Sequence, residues 1–246
     1  MRKVPQYDSQ LTLSPTSREQ LTTAVEPRRK LLETSQREKF PYTIEACGIT
    51  LEVDGGVFSP KYFESSGFFC EMLPPVKGLR LLDMGCGCGI VAIASALADA
   101  SIADAVDITA SAVANTRRNA ARIGVSHIVH AWQSDLFSEV PENSEYDVIF
   151  WNPPWVFIEP TYLYRSQLEM SVFDPGYLLL SRFLSEAPHR LSSEGRILLG
   201  FGDFGNSAEL DRLVDQFSYS KNEIARRSGK APDHFTYILY EIRPSR

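Results

Sequence analysis

The chain has 246 residues, of which 43% are hydrophobic and 23% charged, and its formal net charge is −6. This length and composition suit one globular α/β domain with a small appendage, and the acidic balance disfavours a nucleic-acid partner, because phosphate binding normally requires a basic surface. The longest nearly apolar stretch, residues 89–98, is too short to cross a bilayer, and residues 1–8 lack the apolar core of a secretion signal, so we expect a cytoplasmic protein with no membrane partner.

Residues 1–60 are predicted to form an N-terminal arm followed by a β-hairpin. The arm is polar and punctuated by prolines, with room for short helices at residues 17–24 and 28–38. Its run Arg28-Arg29-Lys30 is the one basic cluster, and such runs are usually solvated surface. Alternating apolar and polar residues from 42 to 57, which end in Asp-Gly-Gly, indicate the β-hairpin.

The rest of the chain alternates between apolar runs and segments of helical periodicity, which is typical of a parallel sheet covered by helices. We predict strands at residues 79–83, 102–108, 127–132, 146–151 and 196–201, and helices at residues 59–73, 90–97, 110–123, 178–191 and 208–217. Thr109 is expected to cap the third of these helices and Gly124 to end it.

Two further strands are predicted at residues 222–227 and 235–242. They are separated by too few residues for a crossover helix, so they must run antiparallel to each other. The predicted fold class is therefore α/β, with a Rossmann-like, mostly parallel seven-stranded sheet that ends in a C-terminal antiparallel hairpin. This domain is expected to occupy residues 61–246.

A carboxylate and three glycines follow the first strand in the sequence Asp83-Met84-Gly85-Cys86-Gly87-Cys88-Gly89. At the carboxyl end of such a strand, glycines let the backbone approach a ligand without a Cβ in the way. The third glycine comes one residue too early for the dinucleotide fingerprint, and Asp83 would repel a pyrophosphate but attract a cation. The cysteines are interpreted as small fillers, and because they lack zinc spacing no metal site is predicted.

The predicted cation is S-adenosylmethionine, whose amino group and sulfonium are both positive. Asp107 ends the second strand, where a carboxylate can accept both ribose hydroxyls, and Asp135 follows the third strand, close to the adenine amino group. A single such aspartate is as often a helix cap or turn residue, but three at successive strand ends favour a binding site. The predicted cofactor-binding residues are Asp83, Gly85, Gly87, Gly89, Asp107, Ile108, Ser134, Asp135 and Leu136.

The segment Asn152-Pro153-Pro154-Trp155, which leaves the fourth strand, is the most informative motif of the chain. A residue before proline adopts extended geometry, so this loop is stiff, and neither proline offers an N–H. The side-chain oxygen of Asn152 and the carbonyl of Pro153 are therefore predicted to accept hydrogen bonds from a substrate N–H₂, beside the flat face of Trp155. Asn-Pro and Pro-Pro are also ordinary turn signals, so a structural role is the alternative.

Two rigid hydrogen-bond acceptors of this kind suit methyl transfer to a planar nitrogen. The lone pair of an amide or aromatic amine is delocalised, and hydrogen bonds from its N–H groups favour a tetrahedral nitrogen whose lone pair points at the methyl carbon. Holding the nucleophile and the methyl group in line removes on the order of 7–11 kcal/mol of the barrier. No strong base is required, because the proton can leave after transfer. Asn152 and Pro153 are thus the predicted catalytic residues.

The chain resembles the class I S-adenosylmethionine-dependent methyltransferases, in particular the branch with an Asn-Pro-Pro-aromatic motif. That branch includes protein-glutamine N5-methyltransferases and N-methyltransferases of nucleobase amines. The resemblance covers about residues 56–155 well and the later strands loosely. Gly56-Val57-Phe58-Ser59-Pro60, with Phe63 and Glu64 after it, is similar to the segment that precedes the glycine turn in that branch. The resemblance implies cofactor contacts from the aspartates and glycines above, catalysis by Asn152 and Pro153, and a substrate site that includes Phe58, Pro154 and Trp155, with the two aromatic rings on either side of the substrate plane.

Two departures from the branch bear on the acceptor. Trp155 stands where the branch usually has Tyr or Phe, and the N-terminal arm is far shorter than the helical domain of release-factor methyltransferases. We therefore expect a small-molecule or peptide acceptor, with an RNA or DNA nucleobase as the alternative.

Two other kinds of protein are alternatives to a methyltransferase. One is a non-catalytic module that only binds the cofactor, and the other is an NAD-dependent oxidoreductase with the same type of sheet. The intact motif at residues 152–155 argues against the module. The glycine spacing argues against the oxidoreductase.

Overall fold

The computed structural model describes residues 25–229 and 235–245, so the helix predicted at residues 17–24 lies outside the described residues. The helices are α1 (Glu26–Ser35), α2 (Ser65–Glu71), α3 (Ile90–Leu97), α4 (Ala110–Ile123), α5 (Leu178–Glu186) and α6 (Ser207–Gln216), with short 3-10 helices at Gln167–Ser171 and Ala187–Arg190. The strands are β1 (Tyr42–Ala46), β2 (Ile49–Val53), β3 (Arg80–Met84), β4 (Ile102–Asp107), β5 (Val129–Gln133), β6 (Tyr146–Trp151), β7 (Val156–Ile158), β8 (Phe173–Pro175), β9 (Leu191–Gly202), β10 (Tyr219–Ser228) and β11 (Thr236–Pro244).

Seven strands form the central sheet in the order β10-β11-β9-β6-β3-β4-β5. Strands β5, β4, β3, β6 and β9 are parallel to one another, whereas β11 pairs antiparallel with both β9 and β10. The predicted Rossmann-like sheet with its C-terminal antiparallel hairpin is therefore confirmed. Because the parallel strands share one direction, the loops that follow β3, β4, β5 and β6 all lie at the same edge of the sheet.

Local sequence signals determine several element ends as expected. The Thr109 hydroxyl accepts the N–H of Ala112 at 3.3 Å, which caps α4, and Gly124 ends that helix with φ 84°. The helix predicted at 178–191 instead leaves α-geometry after Glu186 and continues as a 3-10 helix, because Pro188 has no N–H to continue the α-helical pattern. Strand β9 accordingly begins at Leu191, earlier than predicted.

Two other segments differ from the prediction. Of the helix predicted at 59–73, only Ser65–Glu71 is α-helical, since the preceding residues form turns in which Ser59 accepts the N–H groups of Tyr62 and Phe63. The small parallel sheet of β7 and β8 was not predicted, because three-residue strands are too short to show a periodicity. No helix within the described ranges is long and apolar enough to cross a membrane.

The predicted β-hairpin is confirmed as the antiparallel pair β1–β2, and α4 holds it in place. Asn115 and Asn119 of α4 are fully buried. Their side-chain oxygens accept the N–H groups of Asp54 and Glu52, and both amide nitrogens donate to the carbonyl of Glu52. These bonds satisfy backbone groups of β2 and set where the following segment, residues 55–58, enters the edge of the sheet. The domain boundary at residue 60 stays a prediction.

Candidate active site

A cavity of about 160 Å³ lies at the carboxyl ends of β3, β4, β5 and β6, and we call it the cofactor cavity. It is lined by predicted cofactor-binding residues from the ends of β3, β4 and β5: Asp83, Gly85, Gly87, Asp107, Ile108, Ser134, Asp135 and Leu136. Gly89 is not among its lining residues. A Cβ at Gly89 would lie 2.9 Å from the Thr116 side chain, so this glycine is needed for packing at the start of α3.

Asp83 is buried at the end of β3, where its Oδ2 accepts the N–H of Ala92 in the first turn of α3 at 3.1 Å. It therefore caps a helix and lines the cofactor cavity at the same time. Burial raises the pKa of its carboxyl to about 8, although the Ala92 hydrogen bond acts in the opposite direction. A cationic ligand in the cavity would offset the cost of the buried charge.

Asp107 is held rigidly at the end of β4. Its Oδ2 accepts the N–H of Gly87 at 3.1 Å, and its Oδ1 accepts both the N–H and the hydroxyl of Thr109 at 2.9 Å. Gly87 has φ 55°, a conformation that favours glycine, and this brings its N–H toward the carboxylate. Burial raises the pKa of Asp107. A fixed carboxylate here has lone pairs left for ligand hydroxyls.

The segment after β5 forms the third part of the cavity wall. Ser134 is buried and its hydroxyl donates to the carbonyl of Leu136 at 2.6 Å, which closes a tight turn. Asp135 is half exposed and forms an ion pair with Arg182 of α5 at 3.2 Å. The structure thus brings Asp135 to the cavity, while its predicted contact with adenine stays a prediction.

The Asn152 side chain has a defined orientation. Trp155 Nε1 donates to Asn152 Oδ1 at 3.2 Å, and Asn152 Nδ2 donates to the hydroxyl of Ser65 at 3.3 Å. Since an indole N–H can only donate, the amide atom that faces it must be the oxygen. Pro154 lines the cofactor cavity, whereas Pro153 is buried and lines neither this cavity nor the one described next.

A second cavity of about 530 Å³ adjoins the first, and we call it the acceptor cavity. Phe58, Asn152 and Ser171 line both cavities, so the two spaces adjoin at these three residues. Trp155 also lines the acceptor cavity, and its ring lies so close to Gly202 that a Cβ there would be 2.3 Å from it. The predicted placement of Phe58 and Trp155 on either side of a substrate ring stays a prediction.

The 3-10 helix at Gln167–Ser171 is a wall of the site that the sequence did not reveal. Residues Gln167, Leu168, Met170 and Ser171 line the cofactor cavity, and Ser171 also lines the acceptor cavity. The remaining residue, Glu169, lines neither cavity and is 1% exposed. No periodicity or motif marks this five-residue segment.

Glu169 is held by a buried ion pair with Arg29 of α1. Arg29 Nε donates to Glu169 Oε1 at 2.6 Å, while the Tyr162 hydroxyl and the Arg165 N–H donate to Oε2 at 2.9 and 2.8 Å. Burial alone would lower the pKa of Arg29, but the hydrogen bonds and charges of Glu169 and Tyr162 together outweigh it and raise the pKa. The expectation that Arg28-Arg29-Lys30 is solvated surface was therefore wrong for Arg29, because its ion partner lies 140 residues away along the chain.

The chain belongs to the methyltransferase small domain family, whose profile matches residues 48–227. This confirms the class that the sequence predicted, an S-adenosylmethionine-dependent methyltransferase, and the cofactor of that class.

Two curated relatives are similar over part of the chain. It is 38% identical over 160 residues to the ribosomal RNA small subunit methyltransferase C of Chromohalobacter salexigens, a match that covers 63% of this chain and 42% of that protein. It is 34% identical over 135 residues to the ribosomal protein uL3 glutamine methyltransferase of Bordetella pertussis, with 52% of this chain and 45% of that protein covered. The chain thus spans less than half the length of both relatives.

The fold is shared with the T. thermophilus 16S rRNA N2 G1207 methyltransferase solved in complex with AdoMet and guanosine. The TM-score is 0.59 at 19% sequence identity, over 82% of this chain and 50% of that chain. This likeness supports the shared architecture of the sheet and helices.

The substitution Asp83→Asn should change how stability depends on pH. The folded pKa of about 8 lies above the ordinary value of 3.8. The stabilising effect of the protonated carboxyl is therefore complete below pH 4 and is lost as the pH rises through 8. Relative to Asp83→Asn, the free energy of unfolding of the cofactor-free protein should fall by up to about 1.4 kcal/mol per pH unit in this window.

Urea unfolding of both proteins at several pH values between 5 and 8 measures this difference. Asp99→Asn, at an exposed aspartate paired with Lys77, is the control and should follow the wild type. A difference between wild type and Asp83→Asn that does not vary with pH would contradict the burial of an ionisable Asp83.

The substitution Arg29→Met should cost about 3–5 kcal/mol of stability, because it leaves the Glu169 carboxylate buried without its cation. Arg29→Met combined with Glu169→Leu should recover at least half of that loss, since an apolar pair has no charge to desolvate. Urea unfolding measures both. The exposed pair Arg212 and Glu209 on α6 provides the matched control, where the same replacements should have little effect on stability. Equal losses for the single and double variants at positions 29 and 169 would show that packing, rather than charge, dominates there.

Proposed function

We propose that the protein transfers a methyl group from S-adenosylmethionine to a planar nitrogen, an amide or aromatic amine, of a small molecule or peptide side chain. One observation supports this above all others. The cofactor cavity and the acceptor cavity adjoin at three shared lining residues, Phe58, Asn152 and Ser171. A group bound in one cavity therefore lies next to a group bound in the other, with Asn152 at the junction.

The orientation of Asn152 suits the chemistry of a planar nitrogen. The Trp155 N–H engages Oδ1 and the Ser65 hydroxyl engages Nδ2, so the amide oxygen has a fixed position before an acceptor arrives. An amide oxygen has two lone pairs, and the one that Trp155 leaves can accept an N–H of the acceptor. That hydrogen bond disfavours the planar, delocalised nitrogen and directs its lone pair toward the cofactor cavity. Pro153, the second predicted acceptor, is buried and lines neither cavity, so the proposal rests on the oxygen of Asn152.

The bound cofactor supplies an activated methyl group on a sulfonium. As the nitrogen forms its bond to the methyl carbon, the carbon–sulfur bond breaks and the electron pair stays on sulfur. The nitrogen then carries a positive charge and releases one proton to water. Asn152 contributes by position, because alignment of the two reacting atoms lowers the barrier more than a strong base would.

The substitution Asn152→Ala should separate chemistry from cofactor binding. We expect turnover on the acceptor to fall by at least about a hundredfold, because the hydrogen bond that reorients the nitrogen is lost. The affinity for S-adenosylhomocysteine should stay within about threefold of wild type, since Asp83 and Asp107 are unchanged. Transfer from labelled cofactor and calorimetry give the two readouts.

The control is Ser65→Ala, which removes the partner of the amide nitrogen but leaves the acceptor oxygen in place. It should lower turnover much less than Asn152→Ala. A parallel loss of cofactor affinity and turnover in Asn152→Ala would assign Asn152 a structural role instead.

N-methylation of a nucleobase amine in RNA is the second candidate, and the similarity to the ribosomal RNA small subunit methyltransferase C favours it. The burial of Arg29 counts against it, because the basic run of α1 then offers fewer charges to a phosphate backbone.

Salt dependence distinguishes the two candidates. For a small-molecule or peptide acceptor, kcat/KM should change little between 50 and 200 mM salt. An enzyme that makes 6–10 phosphate contacts loses about 10³–10⁵ in affinity over that range. Lys30→Ala, which removes an exposed charge of α1, should leave kcat/KM unchanged if the acceptor is not a nucleic acid. A steep negative slope that flattens in Lys30→Ala would favour RNA.

A further inference from the structure

The acceptor cavity has aromatic walls. The rings form two groups from separate parts of the chain, and within each group the rings contact one another. Phe58 stacks on Phe63 with ring centroids 4.3 Å apart, in the segment that follows the β-hairpin. Tyr237 of β11 makes edge contacts with Trp155 at 6.5 Å and with Phe235 at 4.9 Å. All five side chains line the acceptor cavity, so an occupant meets ring faces and edges over much of its surface.

The cations that line this cavity are already engaged. The Arg28 guanidinium lies 4.2 Å from the centre of the Phe204 ring, in a cation–π contact. Lys61 forms an ion pair with Glu38 and lies over the rings of Tyr42 and Tyr62. Glu64 adds a negative charge to the same lining. Among the described lining residues there is thus no cluster of cations for a phosphate or carboxylate, and the arrangement favours an uncharged occupant.

The size of the cavity also bears on the occupant. A volume of about 530 Å³ lies within the usual range for small-molecule sites. An unbranched amide side chain, such as that of glutamine, presents no ring face and would leave these aromatic walls without a partner. A flat ring system suits both the aromatic walls and the volume of the cavity, since it stacks on ring faces and fills the space between them.

We propose that the acceptor is a neutral molecule in which the nitrogen to be methylated is carried by a planar aromatic ring system. This inference rests on the proposed function, because it assigns the acceptor cavity to the methyl acceptor. It narrows the class of methyl acceptors to uncharged aromatic amines, and it excludes the glutamine side chain and the phosphorylated nucleotide.

Binding and methylation are tested separately with one probe, 1-naphthylamine, a neutral aromatic amine. Calorimetry is carried out on protein saturated with S-adenosylhomocysteine, so that the cofactor cavity is filled and adenine rings cannot enter it. We expect 1-naphthylamine to bind at least about tenfold more tightly than N-acetylglutaminamide or adenosine monophosphate. Tighter binding of either comparison ligand would overturn the proposal.

A variant pair locates the probe. Phe204 is 50% exposed and lines the acceptor cavity, so Phe204→Ala should fold normally and weaken 1-naphthylamine binding by about two- to tenfold. Leu178 is 60% exposed and lines neither cavity, so Leu178→Ala should bind the probe like wild type. Unchanged affinity in Phe204→Ala would overturn the assignment of the ring to this cavity.

Incubation of 1-naphthylamine with labelled cofactor then tests the reaction. An N-methylated product supports both the acceptor class and the proposed function. Tight binding that depends on Phe204 but yields no product supports the acceptor class and counts against the proposed transfer to a planar nitrogen. The two proposals therefore fail by different measurements.

Discussion

The parallel pairing of β3 with β4 and β6 decides where the polar groups of the site meet. In the register of these strands Met84 lies opposite both Val106 and Trp151. Asp83 therefore comes just before this level, and Asp107 and Asn152 come just after it on the neighbouring strands. Because all three strands run in one direction, these residues lie together at the carboxyl ends of the strands.

The indole N–H of Trp155 gives the motif a hydrogen-bond donor that a Phe ring lacks. This N–H donates to the side-chain oxygen of Asn152, three residues earlier, so the loop orients the Asn152 side chain by itself. The ring in turn can lie where it does only because Gly202 has no side chain, and the Tyr177 hydroxyl holds the Trp155 carbonyl at 2.6 Å. Under the proposed function, this fixed geometry reduces the entropy lost when the methyl acceptor binds.

The parts of the fold that the sequence predicted are those with local signals. Helix α3 and strand β6 agree with the prediction to the residue, because Gly89 precedes the apolar run of α3, and Glu145 and Asn152 flank that of β6. The glycine turn and the aspartates were found because they follow strands directly. The acceptor cavity was predicted only in part. Phe58, Asn152 and Trp155 were expected there, whereas the walls from α1, the 3-10 helix and β11 were missed, because only the folded chain brings these segments together. The Arg29–Glu169 pair has no local signal at all.

The gain in stability does not by itself explain why a buried ion pair stands at positions 29 and 169. Desolvation of two charges is expensive, and a well-packed apolar pair in the same place is often as stable or more stable. The charged groups also orient the 3-10 helix. The carboxylate of Glu169 accepts hydrogen bonds from Arg29, from the Tyr162 hydroxyl and from the Arg165 N–H, and these three bonds hold the helix in position. Helix α1 contributes to the acceptor cavity and the 3-10 helix to both cavities, so this pair joins their walls. Arg29 and Glu169 themselves line neither cavity.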